Sequence, residues 1–190
     1  LLYDAVATAL ADNLPYELEL MSVQPDGTQR PCRVMGFPDC DDSGQVVGIS
    51  GLVQDITEQK QKEKATRLAA CVFSHAREGI TITDADGTIV DVNDAFTRIT
   101  GYDRDSALGR NPRFLQSGRQ DKAFYEAMWQ DLTGPGHWSG EVWNRRKNGE
   151  VYAELLTISA VRDAQGITQQ YVALFSDITG IKEHQNQLER

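Results

Sequence analysis

The sequence has no run of about 18 apolar residues, so no segment is suited to cross a bilayer as a helix. Cysteine is scarce. Cys32, Cys40 and Cys71 are an odd number without metal-site spacing, which fits a reducing cytoplasm better than a disulfide scaffold. Positive charge is also short: 19 Lys and Arg stand against 28 Asp and Glu, a net charge of −9. Phosphate neutralisation needs clustered cations, so a nucleic-acid partner is disfavoured. The basic run Arg145-Arg146-Lys147 is short, sits beside a turn and is expected to be solvated. There is no phosphate-binding glycine loop, no nucleophile–base–orienter spacing and no metal cluster, which argues against an enzyme. The chain opens at Leu1 without an initiator Met or a signal peptide, and is expected to be a piece of a longer cytoplasmic protein. Against these absences, 40% hydrophobic and 25% charged residues are ordinary globular composition, and 190 residues suffice for one or two domains.

The stretch from Trp138 to Thr179 organises the rest. Asn148-Gly149 is a strong hairpin signal and Asp163-Ala164-Gln165-Gly166 a looser turn, and together they cut the stretch into three runs rich in β-branched and aromatic residues. A three-stranded antiparallel meander is predicted. The same pattern occurs earlier. Residues 1–57 slide by 122 positions onto 123–179 without a gap, so that Gly27 meets Gly149, Asp41 meets Asp163 and Asp55-Ile56-Thr57 meets Asp177-Ile178-Thr179.

In chain order, Leu2, Val6, Ala9 and Leu10 mark a helix, followed by strands at 16–23, 30–37 and 46–53. One helix and three strands leave an apolar face uncovered, so residues 1–57 are not expected to stand alone. Residues 58–76 read as a linker helix, polar in its first half and striped by Ala65, Leu68, Ala69, Val72 and Phe73 in its second; it is either a connector or a coiled-coil seam between two subunits. Strands at 80–83 and 88–92 follow, then a helix capped by Asn93 and ended by Gly101, short helical material over 103–118, and a helix over 121–132. With the meander, this makes an α+β arrangement: five antiparallel strands with helices inserted between the second and third, covering one face around a possible cavity. Ile181, His184 and Leu188 suggest an exit helix over 180–190.

These residues resemble the PAS domain family. The resemblance is carried by Gly79-Ile80-Thr81-Ile82-Thr83-Asp84, Val92-Asn93-Asp94-Ala95-Phe96, Thr100-Gly101-Tyr102, Leu108-Gly109-Arg110-Asn111, Lys147-Asn148-Gly149 and Asp177-Ile178-Thr179. It covers 67–179 as a complete domain and 1–57 as the C-terminal half of another. It implies a sensory or interaction module wired to an output domain such as a kinase or a diguanylate cyclase, with homodimerisation expected through the linker and exit helices. Gly109-Arg110-Asn111-Pro112-Arg113-Phe114-Leu115-Gln116 is similar to the helix of light-oxygen-voltage photosensors, which carry a reactive Cys where this chain has Pro112. Proline has no nucleophile, so flavin–cysteinyl chemistry is excluded at that position. The nearer resemblance is to redox-sensing PAS domains that hold FAD noncovalently, through Trp138-Ser139-Gly140, Asn144-Arg145-Arg146-Lys147 and Ala153-Glu154-Leu155.

A three-residue loop at Asn148-Gly149-Glu150 would set Asn144 opposite Glu154 and join Trp138, Val142 and Asn144 with Tyr152, Glu154, Leu156 and Ile158 on one face. The expectation is an apolar pocket wall with two polar points. Asn144 can donate and accept toward a flavin edge; alternatively Glu154 and Asn144 only satisfy each other in a filled core. Trp138 is either a pocket wall or core, Asn111 a ligand contact or a local cap, and Thr81 a small hydroxyl at the strand position the flavin sensors use. Haem is disfavoured, because the helix over 121–132 carries no His.

Overall fold

The computed structural model describes residues 1–188; Glu189 and Arg190, the end of the expected exit segment, lie outside the described residues. The chain forms two compact units that divide between Ala69 and Ala70. The first unit holds helix α1 (Leu2–Asp12) and strands β1 (Tyr16–Val23), β2 (Gln29–Cys40) and β3 (Val46–Asp55), in the sheet order β1-β2-β3. Helix α2 (Thr57–His75) carries the division within it, a few residues later than the start expected for the second domain.

The second unit contains β4 (Gly79–Asp84), β5 (Ile89–Val92), α3 (Asp94–Thr100), α4 (Arg104–Ala107), a 3-10 turn (Pro112–Leu115), α5 (Lys122–Thr133), β6 (His137–Arg145), β7 (Val151–Arg162), β8 (Thr168–Asp177) and α6 (Thr179–Leu188). Its antiparallel sheet runs β5-β4-β8-β7-β6, so the first strand of the unit pairs with its last. That closure brings residues 79–84 beside 170–175 and holds the inserted helices against one face. Asn93 anchors the junction: its Oδ1 accepts from the Phe96 and Ile80 amides (3.0 and 2.8 Å), and its Nδ2 donates to the Phe73 and Glu78 carbonyls (3.1 and 2.9 Å). A buried amide satisfied at every atom stabilises three elements at once. Asp103 and Asp121 cap α4 and α5 in the same way, by accepting a backbone amide three residues on.

The 122-residue shift holds strand by strand. The bounds of β2 and β3 map onto those of β7 and β8, Tyr16↔Gly36 maps onto Trp138↔Ile158, Cys32↔Asp55 maps onto Glu154↔Asp177, and the irregularity after Asp39 recurs after Val161. Each meander ends in an Asp whose Oδ1 accepts from the Thr two residues on, Asp55 with Thr57 (2.8 Å from the amide) and Asp177 with Thr179 (2.9 Å). The cores differ. In the first unit Ala9, Cys32 and Ile56 are buried hydrophobics while Met21, Val23 and Val53 stay exposed; in the second, one cluster forms around Ile89, Val92, Phe96, Leu115 and Phe175, and another around Met128, Leu132 and Tyr171.

The β6–β7 hairpin departs from the expected register. Its three-residue loop is Lys147-Asn148-Gly149, one residue earlier than expected. The Arg146 amide donates to Glu150 O and the Gly149 amide to Arg146 O, both at 2.9 Å. Gly149 takes φ +90°, the left-handed slot that closes such a loop and that L side chains resist, so glycine has to come last. Asn144 is therefore opposite Tyr152, and Glu154 opposite Val142. Moving the loop by one residue slides the pairing by two, which preserves every face.

Gly79 leaves no room for a side chain: a Cβ there would lie 2.2 Å from Cζ of Phe175, whose ring is 6.1 Å from Phe96 in an edge-on pair. Gly79→Ala is expected to cost about 1–3 kcal/mol by overpacking, read as a lower denaturation midpoint, whereas Gly180→Ala, with open space around it, should change stability little.

Candidate functional site

Between the sheet and the 3-10 turn and α5 of the second unit lies a cavity of about 570 Å³. Leu115, Met128, Leu132, Val142, Leu156 and Phe175 give it largely apolar walls, as expected of a small-molecule site. Thr81, Asn111, Asn144 and Glu154 line it as well, so four of the five residues singled out in the sequence share one cavity. Trp138 does not. It lies on the same strand face, but its indole packs against Phe124 of α5 (centroids 5.7 Å apart) and over Gly140, within the cluster of Met128, Leu132 and Tyr171. It is half-buried and packs against that cluster, because α5 covers its end of the strand.

Asn111 does two things: its Oδ1 accepts the Arg113 amide at 3.1 Å, capping the 3-10 turn, and the residue borders the cavity. A backbone bridge between Gln116 and Asn144 ties the end of that turn to β6. Thr81 and Thr83, both buried on β4, set hydroxyls along the same lining.

Glu154 is 3% exposed and is held by two donors, Asn144 Nδ2 to its Oε1 at 2.9 Å and the Tyr152 hydroxyl to its Oε2 at 2.8 Å. Burial raises its pKa to about 7; the two hydrogen bonds oppose this, and the charge of Asp177 adds to it. Tyr152 is fully buried, and desolvation followed by the charge of Glu154 pushes its phenol upward, so it remains a donor. The Arg146 guanidinium lies over the Tyr152 ring at 4.2 Å and pairs with Asp177 Oδ2 at 2.5 Å. Asp177 feels a desolvation that would raise its pKa, outweighed by the Thr179 hydroxyl and Arg146, so it stays below the usual range. Its Oδ1 accepts from the amide and hydroxyl of Thr179 at the start of α6, and the Thr179 oxygen accepts the Ala153 amide at 3.1 Å. A continuous set of contacts thus runs from the cavity to the exit helix.

Arg146 corrects the expectation of a solvated basic run. Its side chain is 16% exposed, because strand alternation turns it to the same face as Asn144 and the loop folds it over Tyr152. Strand alternation put Tyr152 on the same face as Glu154, but its role as a donor to that carboxyl, and the roles of Arg146 and Asp177, are seen only in the fold.

Isoalloxazine presents carbonyls and N–H groups along one edge and apolar surface elsewhere. The donor set meets that requirement: Asn144 keeps its carbonyl oxygen as an acceptor, and the Thr81 hydroxyl and the Glu154 carboxyl can each donate or accept within an apolar cavity of ring-system size. Arg113 and Lys122, both exposed, add positive charge to the lining. Among the described residues no histidine lines the cavity, no three His, Cys, Asp or Glu are placed to hold a metal, and no helix is long and apolar enough to cross a membrane.

A five-stranded antiparallel sheet with its helices over a ligand-sized cavity defines the sensory α+β class, and a family profile described as PAS domain matches residues 4–58 and 77–180. The chain belongs to the PAS domain family. It is 36% identical over 108 residues to a nitrogen fixation regulatory protein of Klebsiella oxytoca, covering 57% of this chain and 22% of that protein. It is also 36% identical over 94 residues to a blue-light-activated histidine kinase of Brucella canis, covering 50% and 19%. Among solved structures, the light state of the blue-light photoreceptor Aureochrome1 LOV aligns with a TM-score of 0.51 and 30% identity, over 59% of this chain and 91% of that one. The chain spans about a fifth of the length of the curated relatives it matches, whose names place them in signalling.

The carboxyl of Glu154 titrates at an ordinary 4.5 when unfolded and about 7 when folded. Between those values the folded protein keeps a proton that the unfolded chain gives up. Its contribution is present below pH 4.5 and is lost as pH rises to about 7, up to ~3 kcal/mol. Urea unfolding of the wild type should show falling stability across that window, and Glu154→Gln should flatten the slope.

Proposed function

We propose that the second unit is a non-catalytic sensor that holds FAD noncovalently and reports redox state to an output domain in the remainder of the parent protein, such as a kinase or a diguanylate cyclase. The observation that carries this reading is the Asn144–Glu154 pair, buried in an apolar cavity and hydrogen-bonded at 2.9 Å. When bound, the cofactor supplies reversible electron transfer coupled to proton uptake on its ring. Asn144 and Thr81 orient that ring, Asn111 borders it, and the apolar walls exclude water. Glu154 can hold or release a proton close to neutral pH, with Tyr152 as its fixed donor. Its protonation changes the charge next to Tyr152, on which Arg146 rests, and Arg146 sets the partner of Asp177 at the first turn of α6. Pro112 removes the thiol route, so signalling proceeds through hydrogen bonds alone.

Homodimerisation would use α2 and α6. Among the described residues neither helix buries a side chain, and Leu68, Val72, Ile181 and Leu188 are exposed. Residues 1–57, most of which fall in the segment 4–58 that the PAS profile matches, are read as the C-terminal half of a first PAS domain.

Purified protein should show flavin absorbance or acquire it when incubated with FAD, and the pigment released by heat should chromatograph as FAD. Asn144→Ala should weaken binding about tenfold. Colourless protein that takes up no flavin would leave the competing reading, a ligand-free module for dimerisation and relay.

A further inference from the structure

The two meanders hand the chain to a helix in the same way, and the likeness extends past the Asp–Thr exit. The Ile56 amide donates to Pro31 O (3.0 Å) and the Ile178 amide to Ala153 O (2.9 Å). The helices then begin with Lys60 N–H on Ile56 O (2.9 Å) and Lys182 N–H on Ile178 O (3.0 Å). At the same shift of 122, Lys60 Nζ pairs with Glu19 Oε2 of β1 at 2.5 Å, and Lys182 Nζ with Glu141 Oε2 of β6 at 2.7 Å. Burial repeats too. Thr57 and Lys60 are half-buried while the rest of residues 57–69 are exposed; Thr179 and Lys182 are half-buried while the rest of α6 is exposed. The side chains that seat α6 are therefore Thr179 and Lys182, with no buried apolar residue behind them.

The surroundings of the two ion pairs differ. In the first unit Glu19 lies opposite Arg33 and also pairs with it (3.3 Å), and Ile56 is 1% exposed. In the second, Glu141 lies opposite Leu155, which carries no charge, and Ile178 is only half-buried. The first helix start is held by a shared acid and a buried isoleucine, and the second by a lone pair at the surface.

We infer that Glu141 and Lys182 form a releasable latch: the pair seats α6 on β6, and its opening frees the helix to move about the Asp177–Thr179 junction, whereas α2 stays fixed at its start on the first sheet. A device that opens and closes needs two states of similar free energy. A half-exposed ion pair, weak, screened by salt and unsupported by apolar burial, provides that balance. The latch is independent of what the cavity holds. It is also distinct from the Tyr152–Arg146–Asp177 contacts, which act at the junction itself and leave the position of the following turn to Lys182.

An undocked helix of 10 residues is marginal in water, so release shows as faster amide exchange. Exchange is followed by NMR at Glu183 and His184 of α6 and at their counterparts Gln61 and Lys62 of α2. In the wild type the α2 amides should exchange more slowly than those of α6. Glu141→Gln keeps the side-chain shape and removes the charge; it should speed exchange at Glu183 and His184 about threefold and leave Gln61 and Lys62 unchanged. Salt at about 0.5 M should produce a similar acceleration in the wild type and little more in the variant. Reversing the pair, Glu141→Lys with Lys182→Glu, should restore the slower exchange. The urea midpoint should stay where it is throughout, which separates a local latch from a general contribution to stability. Unchanged exchange in Glu141→Gln, no recovery in the reversed pair, or acceleration that merely tracks a lower midpoint would overturn the inference.

Discussion

A carboxyl group placed among leucine, valine and phenylalanine side chains is costly unless its oxygens are paired, and the second unit is arranged around meeting that cost at Glu154. The amide of Asn144 takes one oxygen and the phenol of Tyr152 the other. Tyr152 reaches the acid from two residues away on the same strand, and Asn144 reaches it across the hairpin, whose register Gly149 sets by closing the loop in the left-handed region. Tyr152 then gives Arg146 a surface to lie on, and Arg146 reaches Asp177 at the exit. One buried acid therefore links the hairpin, the cavity and the start of α6.

The first unit shows how far that chemistry is separable from the backbone. Its strands repeat the register of the second, yet Ser22, Cys32 and Arg30 stand at the places of Asn144, Glu154 and Tyr152, and Arg30 pairs with Asp55 at 3.3 Å. The turn glycines and the Asp–Thr exit are kept, so the meander is kept; the buried acid and its donors are absent, so the polar centre is too. Fold and site are encoded by different residues, and likeness of fold alone carries no ligand with it.

Much of the architecture was legible in the sequence because its signals are local. Alternation of apolar residues marked the strands, Asn93 and Gly101 bounded α3, and Asn148-Gly149 marked the hairpin. The strand order was not legible, since pairing of β4 with β8 joins residues some ninety positions apart. The site was legible by parity: the loop was placed one residue late, but a two-residue slide in pairing keeps Asn144 and Glu154 on one face. Trp138 stayed open between wall and core in the sequence because facing inward does not decide whether a side chain meets a cavity or a helix, and α5 packs at that end. Arg146 was missed because a charged residue beside a turn reads as solvated, and only the folded loop shows it covering a buried tyrosine.

The central claim is that the protonation of Glu154 is felt at the exit helix through Tyr152, Arg146 and Asp177. The amide resonance of Thr179, followed by NMR as pH is raised, tests it most directly. The account predicts a step in its chemical shift with a midpoint near 7 that vanishes in Glu154→Gln. A flat profile, or a step that persists unchanged in the variant, would contradict it.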